Sequence, residues 1–408
     1  MISVAKELKV SPTFGVRVKM SSSGAGKWQS SGGHRSKFGL TPSELLRGIE
    51  LLKQNKMESG MQLLHFHLGS QITDIKSIKK ALKEAGRIYV ELKKLGAPLT
   101  HLDVGGGLGV DYDGSRTRQD NSMNYTLQEY ANDVVFQIQE ICDEEKIEHP
   151  HIFTECGRAV AAHHSVLVMD VLGSSSYERI KVTQKIPEDM ERSLQELYDI
   201  YKEINEKNLI EYYHDAVASY QECLNLFSLG YLTLKERALA EELYFNTMVR
   251  CRKIMEKQDE YPEELDKLEE ELSDTFFCNF SVFQSLPDYW AIEQCFPLMP
   301  INRLKEEPAR SARLVDISCD SDGKIDSFID PEEGKTNLIR LHKQNPDEDY
   351  YIGVFLVGAY QETLGDLHNL FGDTNAVHIR MDSSGKPVIG TVVKGDTVKE
   401  VLSYVQYD

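Results

Sequence analysis

Leu102-Asp103-Val104-Gly105-Gly106-Gly107-Leu108-Gly109 is the stretch that decides how the rest of the sequence is interpreted. Its apolar run ends abruptly in three glycines. This pattern predicts a buried strand followed by a turn whose residues have no side chains. Such a turn offers N–H groups to an anion, most commonly phosphate. The pattern matches neither a dinucleotide fingerprint nor a P-loop. It suits a phosphate cup at the top of a β/α barrel, and a tight strand-to-helix turn without a ligand explains it equally well.

Strand and helix signals alternate on both sides of this stretch. Helices are predicted over residues 73–95 and after the capping boxes that begin at Thr41 and Thr126. Strand periodicity is found at residues 14–20, 63–68, 100–104 and 152–155. The alternation predicts βα units on a parallel sheet. A closed barrel needs eight strands, so we expect a partial (β/α)8 barrel over residues 1–164 that lacks its N-terminal half.

The remaining sequence predicts a helical insertion and a C-terminal β-domain. An apolar run at 165–172 is expected to start the β-domain, over residues 165–185. Residues 186–274 are rich in Leu, Glu, Lys and Tyr at helical spacing, with a break near Gly230 and a capping box at Thr233, which predicts a small bundle. Residues 275–408 are β-rich, with runs at 314–319, 350–357, 377–381 and 387–393. The predicted fold class is α/β plus β.

Composition and charge exclude several classes of function. The chain has 408 residues, 41% hydrophobic and 27% charged, and a formal net charge of −19. This charge argues against nucleic-acid and membrane-surface partners and favours a cationic substrate. The seven cysteines form no C-x-x-C pair, which favours a reducing compartment. No secretory signal or membrane-spanning run is found, so we expect a cytoplasmic location.

Several short segments, in this order along the chain, resemble one known family. They are Ser36 to Leu40, His65 to Gln71, Leu102 to Tyr112, Glu155 to Arg158, Phe283 to Asp288, Cys319 to Gly323, Gly358 to Glu362 and His368 to Asp373. Together they are similar to the pyridoxal-phosphate (PLP) decarboxylases with an alanine-racemase-like barrel, most closely to the biosynthetic arginine decarboxylases. The resemblance implies decarboxylation of L-arginine to agmatine and CO₂.

The resemblance also implies a set of cofactor-binding residues. His67 would stack on the PLP ring, and Glu155 would pair with the pyridine nitrogen. The residues implied at the phosphate are Ser70, Gly105, Gly106, Gly107, Arg158 and Tyr360. Gly157 is a further implied cofactor-binding residue, and Arg17 matches a barrel arginine of the family. Blander roles remain open: His67 could be structural, Glu155 a turn residue and Tyr360 a buried aromatic. The pair His65 and His67 could bind a metal, but no third ligand is evident nearby in sequence.

The implied substrate residues lie in two segments. Cys319 matches the cysteine that protonates the carbon left after CO₂ departs, although a buried structural cysteine is the alternative. Asp320 and Asp322 suit the cationic end of a basic amino acid, and Asp111 and Tyr112 are further candidates. In the family the cysteine loop reaches the active site of a partner subunit, which implies a homodimer or a higher homo-oligomer. Mg²⁺ is also associated with the family, and its ligands cannot be assigned here.

One departure from the family pattern matters. Members bind PLP through a lysine in a Tyr-Pro-Ile-Lys-Val-Asn-Gln-like segment of an early barrel strand, and this sequence contains no such segment. Lys19, Lys27 and Lys37 lie in regions that match later parts of the pattern. We therefore expect a C-terminal fragment that is inactive alone. The alternatives are a non-catalytic relative that regulates a decarboxylase, and a decarboxylase of diaminopimelate or carboxynorspermidine.

Overall fold

A computed structural model describes residues 1–22, 36–177, 180–182, 189–257, 266–330, 332, 334–345 and 347–407. Lys27 and the first residues of the predicted helical insertion lie outside these described ranges.

The first part of the chain forms half of a β/α barrel. The strands β1 (Phe14–Arg17), β2 (Met61–His65), β3 (His101–Asp103) and β4 (His151–Phe153) form a parallel sheet in chain order. The helices of this part are α1 (Ile2–Leu8), α2 (Pro42–Gln54), α3 (Ile75–Lys94), α4 (Leu127–Glu145) and α5 (Gly157–Ala161), with 3₁₀ turns at Glu58–Gly60 and Ala162–His164. The sheet confirms the predicted partial barrel. Each strand ends before the predicted limit, because the chain turns into loops at the carboxyl edge.

Local sequence signals explain where the helices begin. In α2 the Glu44 N–H donates to Thr41 Oγ1 at 3.3 Å, and the Thr41 N–H donates to the Glu44 carboxylate at 2.8 Å. These hydrogen bonds lower the pKa of Glu44. The same reciprocal pair starts α4 at Thr126. Helix α3 begins two residues later than predicted, because Asp74 caps it by accepting from the Lys76 N–H at 3.0 Å.

The two faces of the half-barrel sheet differ in chemistry. One face packs against the helices, where Leu64 and Leu102 are fully buried beside α3 and α4. This burial of apolar area is the main stabilising contribution there. The alternate residues Arg17, His65 and Asp103 stand in register on the opposite face. The face opposite the helices is therefore polar at the carboxyl ends of β1, β2 and β3.

The helical insertion is a bundle with its own core. Its helices are α6 (Arg192–Glu203), α7 (Leu209–Ser228), α8 (Leu234–Met255) and α9 (Asp266–Glu271). Leu194, Leu197 and Leu243 are completely buried between them. The predicted break is confirmed at Gly230, which has a φ of +82°, and the predicted capping box at Thr233 starts α8.

The C-terminal β-domain is built on a seven-stranded sheet. Its strands are β5 (Leu167–Ser175), β6 (Asp274–Cys278), β7 (Leu298–Pro300), β8 (Arg310–Val315), β9 (Lys324–Ile325), β12 (Ile339–Leu341) and β13 (Tyr351–Val354), in the order β12-β8-β6-β5-β13-β7 with β9 paired to β8. Two separate pairs are β10 (Phe328–Asp330) with β11 (Gly334–Thr336), and β14 (Ala376–Met381) with β15 (Pro387–Val393). Short helices complete the domain: α10 (Val282–Ser285), α11 (Pro287–Ile292), α12 (Gln361–Leu364) and α13 (Val398–Tyr404).

The predicted strand at 314–319 is wrong at its C-terminal end. Strand β8 stops at Val315, because the next side chain, Asp316, folds the chain into a turn by accepting from the Ser318 N–H and hydroxyl at 2.8 and 2.6 Å. Cys319 consequently lies in the loop between β8 and β9.

The barrel part and the β-domain share a buried contact region. Val110, Tyr112 and Ala162 belong to the hydrophobic core of the β-domain. Asn121 Oδ1, also buried, accepts from Gln294 Nε2 at 3.0 Å and from the Cys295 N–H at 3.2 Å. The loop that follows the glycine turn is thereby attached to the second domain. In the described part of the chain, no helix combines the length and apolar character needed to cross a membrane.

Candidate active site

Two loops at the carboxyl edge of the half-barrel sheet run side by side. They follow β2 and β3, and the Ile72 N–H donates to the carbonyl of Gly107 at 2.9 Å. The Gln71 side chain, itself buried, pairs with both main-chain groups of Val110 at 2.7 and 2.9 Å. These contacts place the glycine turn next to His67 and Ser70.

Two of the three glycines of this turn, Gly105 and Gly107, are required by space as well as by conformation. Gly105 has a φ of +68°, and a Cβ there would lie 2.2 Å from the carbonyl oxygen of Phe66. Gly107 has a φ of +112°, and its Cβ would lie 2.9 Å from Ile72 Cγ1. At Gly106 a Cβ would lie 3.3 Å from the His67 ring. Close packing of the two loops therefore accounts for Gly105 and Gly107, whereas Gly106 is constrained only by the His67 side chain.

Arg158 lies buried beside the turn, in the first turn of α5, with 4% of its surface exposed. Its guanidinium donates to Ser70 Oγ at 3.2 Å and to the Tyr112 hydroxyl at 3.0 Å. It also lies over the ring of Tyr360, 4.7 Å from the centroid. Burial raises the pKa of Tyr112, and the neighbouring arginine opposes that rise. Arg158 thus joins residues from both domains.

These residues fit a phosphate group. Within the described ranges no carboxylate lies within ion-pair distance of Arg158, so its positive charge is buried among neutral hydroxyls and a ring. A buried cation is costly unless an anion or strong acceptors accompany it. Arginine binds phosphate oxygens particularly well, because its donors form a planar fork. The donor set of Arg158, Ser70 and Tyr112 therefore suits the phosphate of PLP.

His67 lies two residues beyond β2 and is held as a neutral imidazole. The Gly106 N–H donates to His67 Nδ1 at 3.2 Å, which requires this nitrogen to be unprotonated. Burial is the main cause that lowers the pKa of His67, and the nearby charges of Arg17 and His65 lower it further. The Asp103 carboxylate opposes them. A neutral planar ring is consistent with stacking on an aromatic cofactor.

The His67 environment makes the stability of the chain depend on pH. The unfolded chain binds a proton on this histidine more readily than the folded chain does, since the pKa is lowered on folding. The free energy of unfolding is therefore expected to fall as the pH drops below about 6.5, the ordinary histidine value. In urea titrations at pH 7.5 and pH 5, His67→Gln should lose less stability than the unsubstituted chain.

A matched control is His378→Gln, because His378 is exposed in the C-terminal hairpin. This variant should keep the full pH-dependent loss. An equal loss in the His67→Gln variant would contradict the environment described for His67.

A histidine and two carboxylates that are distant from one another in sequence lie close together beside the glycine turn. Asp103 Oδ2 lies 2.7 Å from His65 Nδ1, and Asp103 Oδ1 accepts from the Gly105 N–H at 2.8 Å. His65, Asp103 and Glu155 offer ligand atoms within 4.8 Å of one another. Only His65 of the histidine pair belongs to this group, and His67 lies outside it. The only sequence signal was the acidic side chain of Asp103 inside an apolar run.

Arg17 and Glu155 also lie at this edge. Arg17 ends β1 in register with His65, and its guanidinium lies 4.6 Å from the ring centroid of Phe38. Burial lowers the pKa of Arg17, and the Glu155 carboxylate opposes this effect. Glu155 is two residues past β4 and exposed, and its N–H donates to the carbonyl of Gly105 at 2.9 Å. The main chain thus fixes Glu155 beside the glycine turn.

The remaining candidates lie elsewhere or have other partners. Cys319, Asp320 and Asp322 are exposed on the β8–β9 loop, and within the described ranges no hydrogen bond or ion pair joins them to His67 or Arg158. Asp111 accepts from the Ser122 hydroxyl at 2.7 Å. Tyr112, 2% exposed, is placed with Arg158. Gly157 is the first residue of α5.

Two family models match the sequence. The pyridoxal binding domain of the pyridoxal-dependent decarboxylases matches residues 1–162, and the helical bundle domain of arginine decarboxylase matches residues 187–269. The first range contains the glycine turn and Arg158. The second corresponds to the bundle of α6 to α9.

Two similar proteins match this sequence over its whole length. Biosynthetic arginine decarboxylases from Rhodopirellula baltica and Citrifermentans bemidjiense are 49% and 50% identical over 100% of this chain. The chain spans 65% of the length of each of these relatives.

Solved structures show the same similarity. The crystal structure of the biosynthetic arginine decarboxylase from Campylobacter jejuni superposes with a TM-score of 0.84 at 40% identity, over 100% of this chain and 64% of that one. Diaminopimelate decarboxylase from Helicobacter pylori shares the fold, with a TM-score of 0.58 at 15% identity over 99% of this chain and 70% of that one. In sequence and in fold the chain is therefore similar to the pyridoxal-dependent decarboxylases and, at about half of its residues, to the biosynthetic arginine decarboxylases.

Proposed function

We propose that this chain takes part in the PLP-dependent decarboxylation of L-arginine to agmatine and CO₂. The observation that carries the proposal is the buried Arg158 guanidinium, which has hydroxyl partners but no carboxylate within ion-pair distance among the described residues. The identity of about half the residues with named arginine decarboxylases supports the choice of substrate. When bound, PLP supplies an electron sink for the charge that remains as the carboxylate leaves.

The residues of the edge have distinct roles in this proposal. Arg158, Ser70, Tyr112 and Tyr360 hold the phosphate group, and the Gly105 to Gly107 turn lets it approach the backbone. His67 presents its neutral ring to the flat face of the cofactor. Glu155 places a negative charge where a protonated pyridine nitrogen would be stabilised.

Two further roles concern the substrate. Asp320 and Asp322 are proposed to bind the guanidinium of arginine, since paired carboxylates suit its planar donors. Cys319 is proposed to hold, on Sγ, the proton that is delivered after CO₂ has left. All three are exposed, and among the described residues no hydrogen bond or ion pair joins them to Arg158. We therefore propose a homodimer or a higher homo-oligomer in which this loop completes the site of a partner subunit.

The residues of this site do not support binding of the Mg²⁺ that is associated with the family. The group of His65, Asp103 and Glu155 does not suit it, because Mg²⁺ prefers six oxygen ligands and one of these donors is an imidazole. Glu155 is also the carboxylate proposed for the pyridine nitrogen. No step of the reaction is assigned to Mg²⁺.

We further propose that the 408 residues alone do not catalyse the reaction. The described sheet provides four parallel strands, and no lysine of the sequence lies in a segment like the one that binds PLP in the family. The test is to combine the chain with the part of the Rhodopirellula baltica relative that it does not cover, and to measure agmatine and CO₂ released from L-arginine. The combined protein should be active and the chain alone inactive.

The same assay separates the alternatives. Diaminopimelate and carboxynorspermidine should give less product than arginine, and a reversed order would assign the alternative substrate class. Absence of agmatine from a combined protein that binds PLP would contradict the proposed function. Agmatine production by the 408 residues alone would contradict the proposed inactivity.

A further inference from the structure

The sulfur of Cys319 accepts an unusually short hydrogen bond from a side chain of another loop. Asn369 Nδ2 donates to Cys319 Sγ at 3.1 Å. The other cysteine sulfurs with hydrogen-bond partners in the described ranges lie 3.5 to 4.0 Å from them. Cys319 is also the exposed one of the seven cysteines, whereas Cys156 is half-buried and the others are buried. The Cys319 side chain is therefore linked to a second loop by this contact.

The Asn369 side of this contact is set by backbone conformation and by packing. Asn369 has a φ of +53°, which is the left-handed region that asparagine tolerates better than most residues. It lies in a tight turn closed by the Phe371 N–H, which donates to the carbonyl of His368 at 3.0 Å. The His368 ring stacks on Phe283 of α10, with centroids 4.3 Å apart.

The Cys319 side of the contact is attached to the same helix. Asp316 accepts from the Val282 N–H of α10 at 2.9 Å with Oδ2, and from the Ser318 N–H with Oδ1. Asp316 and Val282 are both buried. The two loops thus both contact α10.

We propose that Asn369 is a positioning residue for Cys319, an inference that rests on the proposed function. The amide can only donate through Nδ2, so it occupies a lone pair of Sγ and leaves the S–H bond directed elsewhere. In the proposed step the S–H bond breaks, a C–H bond forms on the carbon that has lost CO₂, and the sulfur keeps the electron pair. The amide N–H stabilises the negative sulfur that results.

Alkylation of Cys319 by iodoacetamide tests this inference on the 408-residue chain itself. The thiolate is the reactive form, so a donor that stabilises it should raise the rate near neutral pH. Asn369→Gly keeps the left-handed backbone and removes the amide, and it should slow alkylation at pH 7 by roughly three- to tenfold, the effect of one hydrogen bond. Asn369→Asp should slow it further, because its carboxylate repels the thiolate.

Two control variants distinguish the effect of the Asn369 amide on alkylation from effects of the surrounding turn. Leu370→Ala changes an exposed neighbour in the same turn, 49% exposed, and should leave the rate unchanged. Cys319→Ser identifies the signal that belongs to Cys319 in peptide mass spectra. An unchanged rate in Asn369→Gly, or an equal decrease in Leu370→Ala, would overturn the inference.

A second measurement uses the chain combined with the uncovered part of its relative. There Asn369→Gly should lower kcat and leave KM for arginine unchanged, because it acts on the proton step and not on binding. A rise in KM with unchanged kcat would contradict the positioning role. Alkylation needs neither PLP nor arginine, so a failed proposed function would appear as missing agmatine while the alkylation result stands.

Discussion

Replacement of Arg158 by methionine is expected to weaken the binding of PLP by roughly 30- to 4000-fold, since truncation of one partner of a buried charged contact costs about 2–5 kcal/mol. Methionine keeps much of the aliphatic length but removes the donors that contact Ser70 and Tyr112. The measurement is a fluorescence titration of the chain with PLP and, in parallel, with pyridoxal, which lacks the phosphate. The affinity for pyridoxal should change little.

The same variant should not destabilise the chain in the absence of a ligand. Arg158 is 4% exposed among neutral partners, so its removal relieves a desolvation penalty that offsets the lost hydrogen bonds to Ser70 and Tyr112. Arg87→Met serves as the control, because half of the Arg87 side chain is exposed and it pairs with Glu144 and Glu145. An Arg158→Met variant with the original preference for PLP over pyridoxal would show that the phosphate binds elsewhere.

Gly105→Ala is expected to lower the free energy of unfolding by about 3 kcal/mol or more, the range typical of overpacking combined with backbone strain. The added Cβ would lie 2.2 Å from the carbonyl oxygen of Phe66 and 3.1 Å from His67 Cα. Main-chain atoms cannot move without separating the two loops of the site. Urea titration monitored by circular dichroism provides the measurement, and PLP binding should be lost in the same variant.

Gly114→Ala is the matched control for this prediction. Gly114 also has a positive φ, +74°, but a Cβ there would have no neighbour within 4 Å. Its replacement should therefore cost only the conformational penalty of about 1 kcal/mol. Equal losses in the two variants would mean that the left-handed backbone, and not the close approach of the loops, requires glycine at position 105.

The sequence was most informative where local chemistry determines structure. The capping boxes at Thr41, Thr126 and Thr233 each start a helix, because the threonine and the glutamate three residues later satisfy each other's backbone groups. Gly105 and its neighbours predicted a turn after a strand, and the turn follows β3. These signals span a few residues and do not depend on distant parts of the chain.

Contacts between distant segments could not be predicted in the same way. His65 and Asp103 meet because adjacent parallel strands place them in register, and register is a property of the folded sheet. The neighbours of Arg158 come from three separate segments of the chain. The end of β8 was misplaced because Asp316 interrupts an apolar run through its own side chain. Asn369 carried no signal beyond its place in a short motif.

The buried amide contact of Asn121 with Gln294 and Cys295 limits how the molecule can be re-engineered. A chimera that receives its second domain from a distant homologue inherits a foreign surface beneath the loop that carries Tyr112. Such a chimera would displace the proposed phosphate-binding residues Arg158, Ser70 and Tyr112 relative to one another, even if all three were retained. A functional chimera therefore requires that the loop with Asn121 be exchanged together with Gln294 and Cys295.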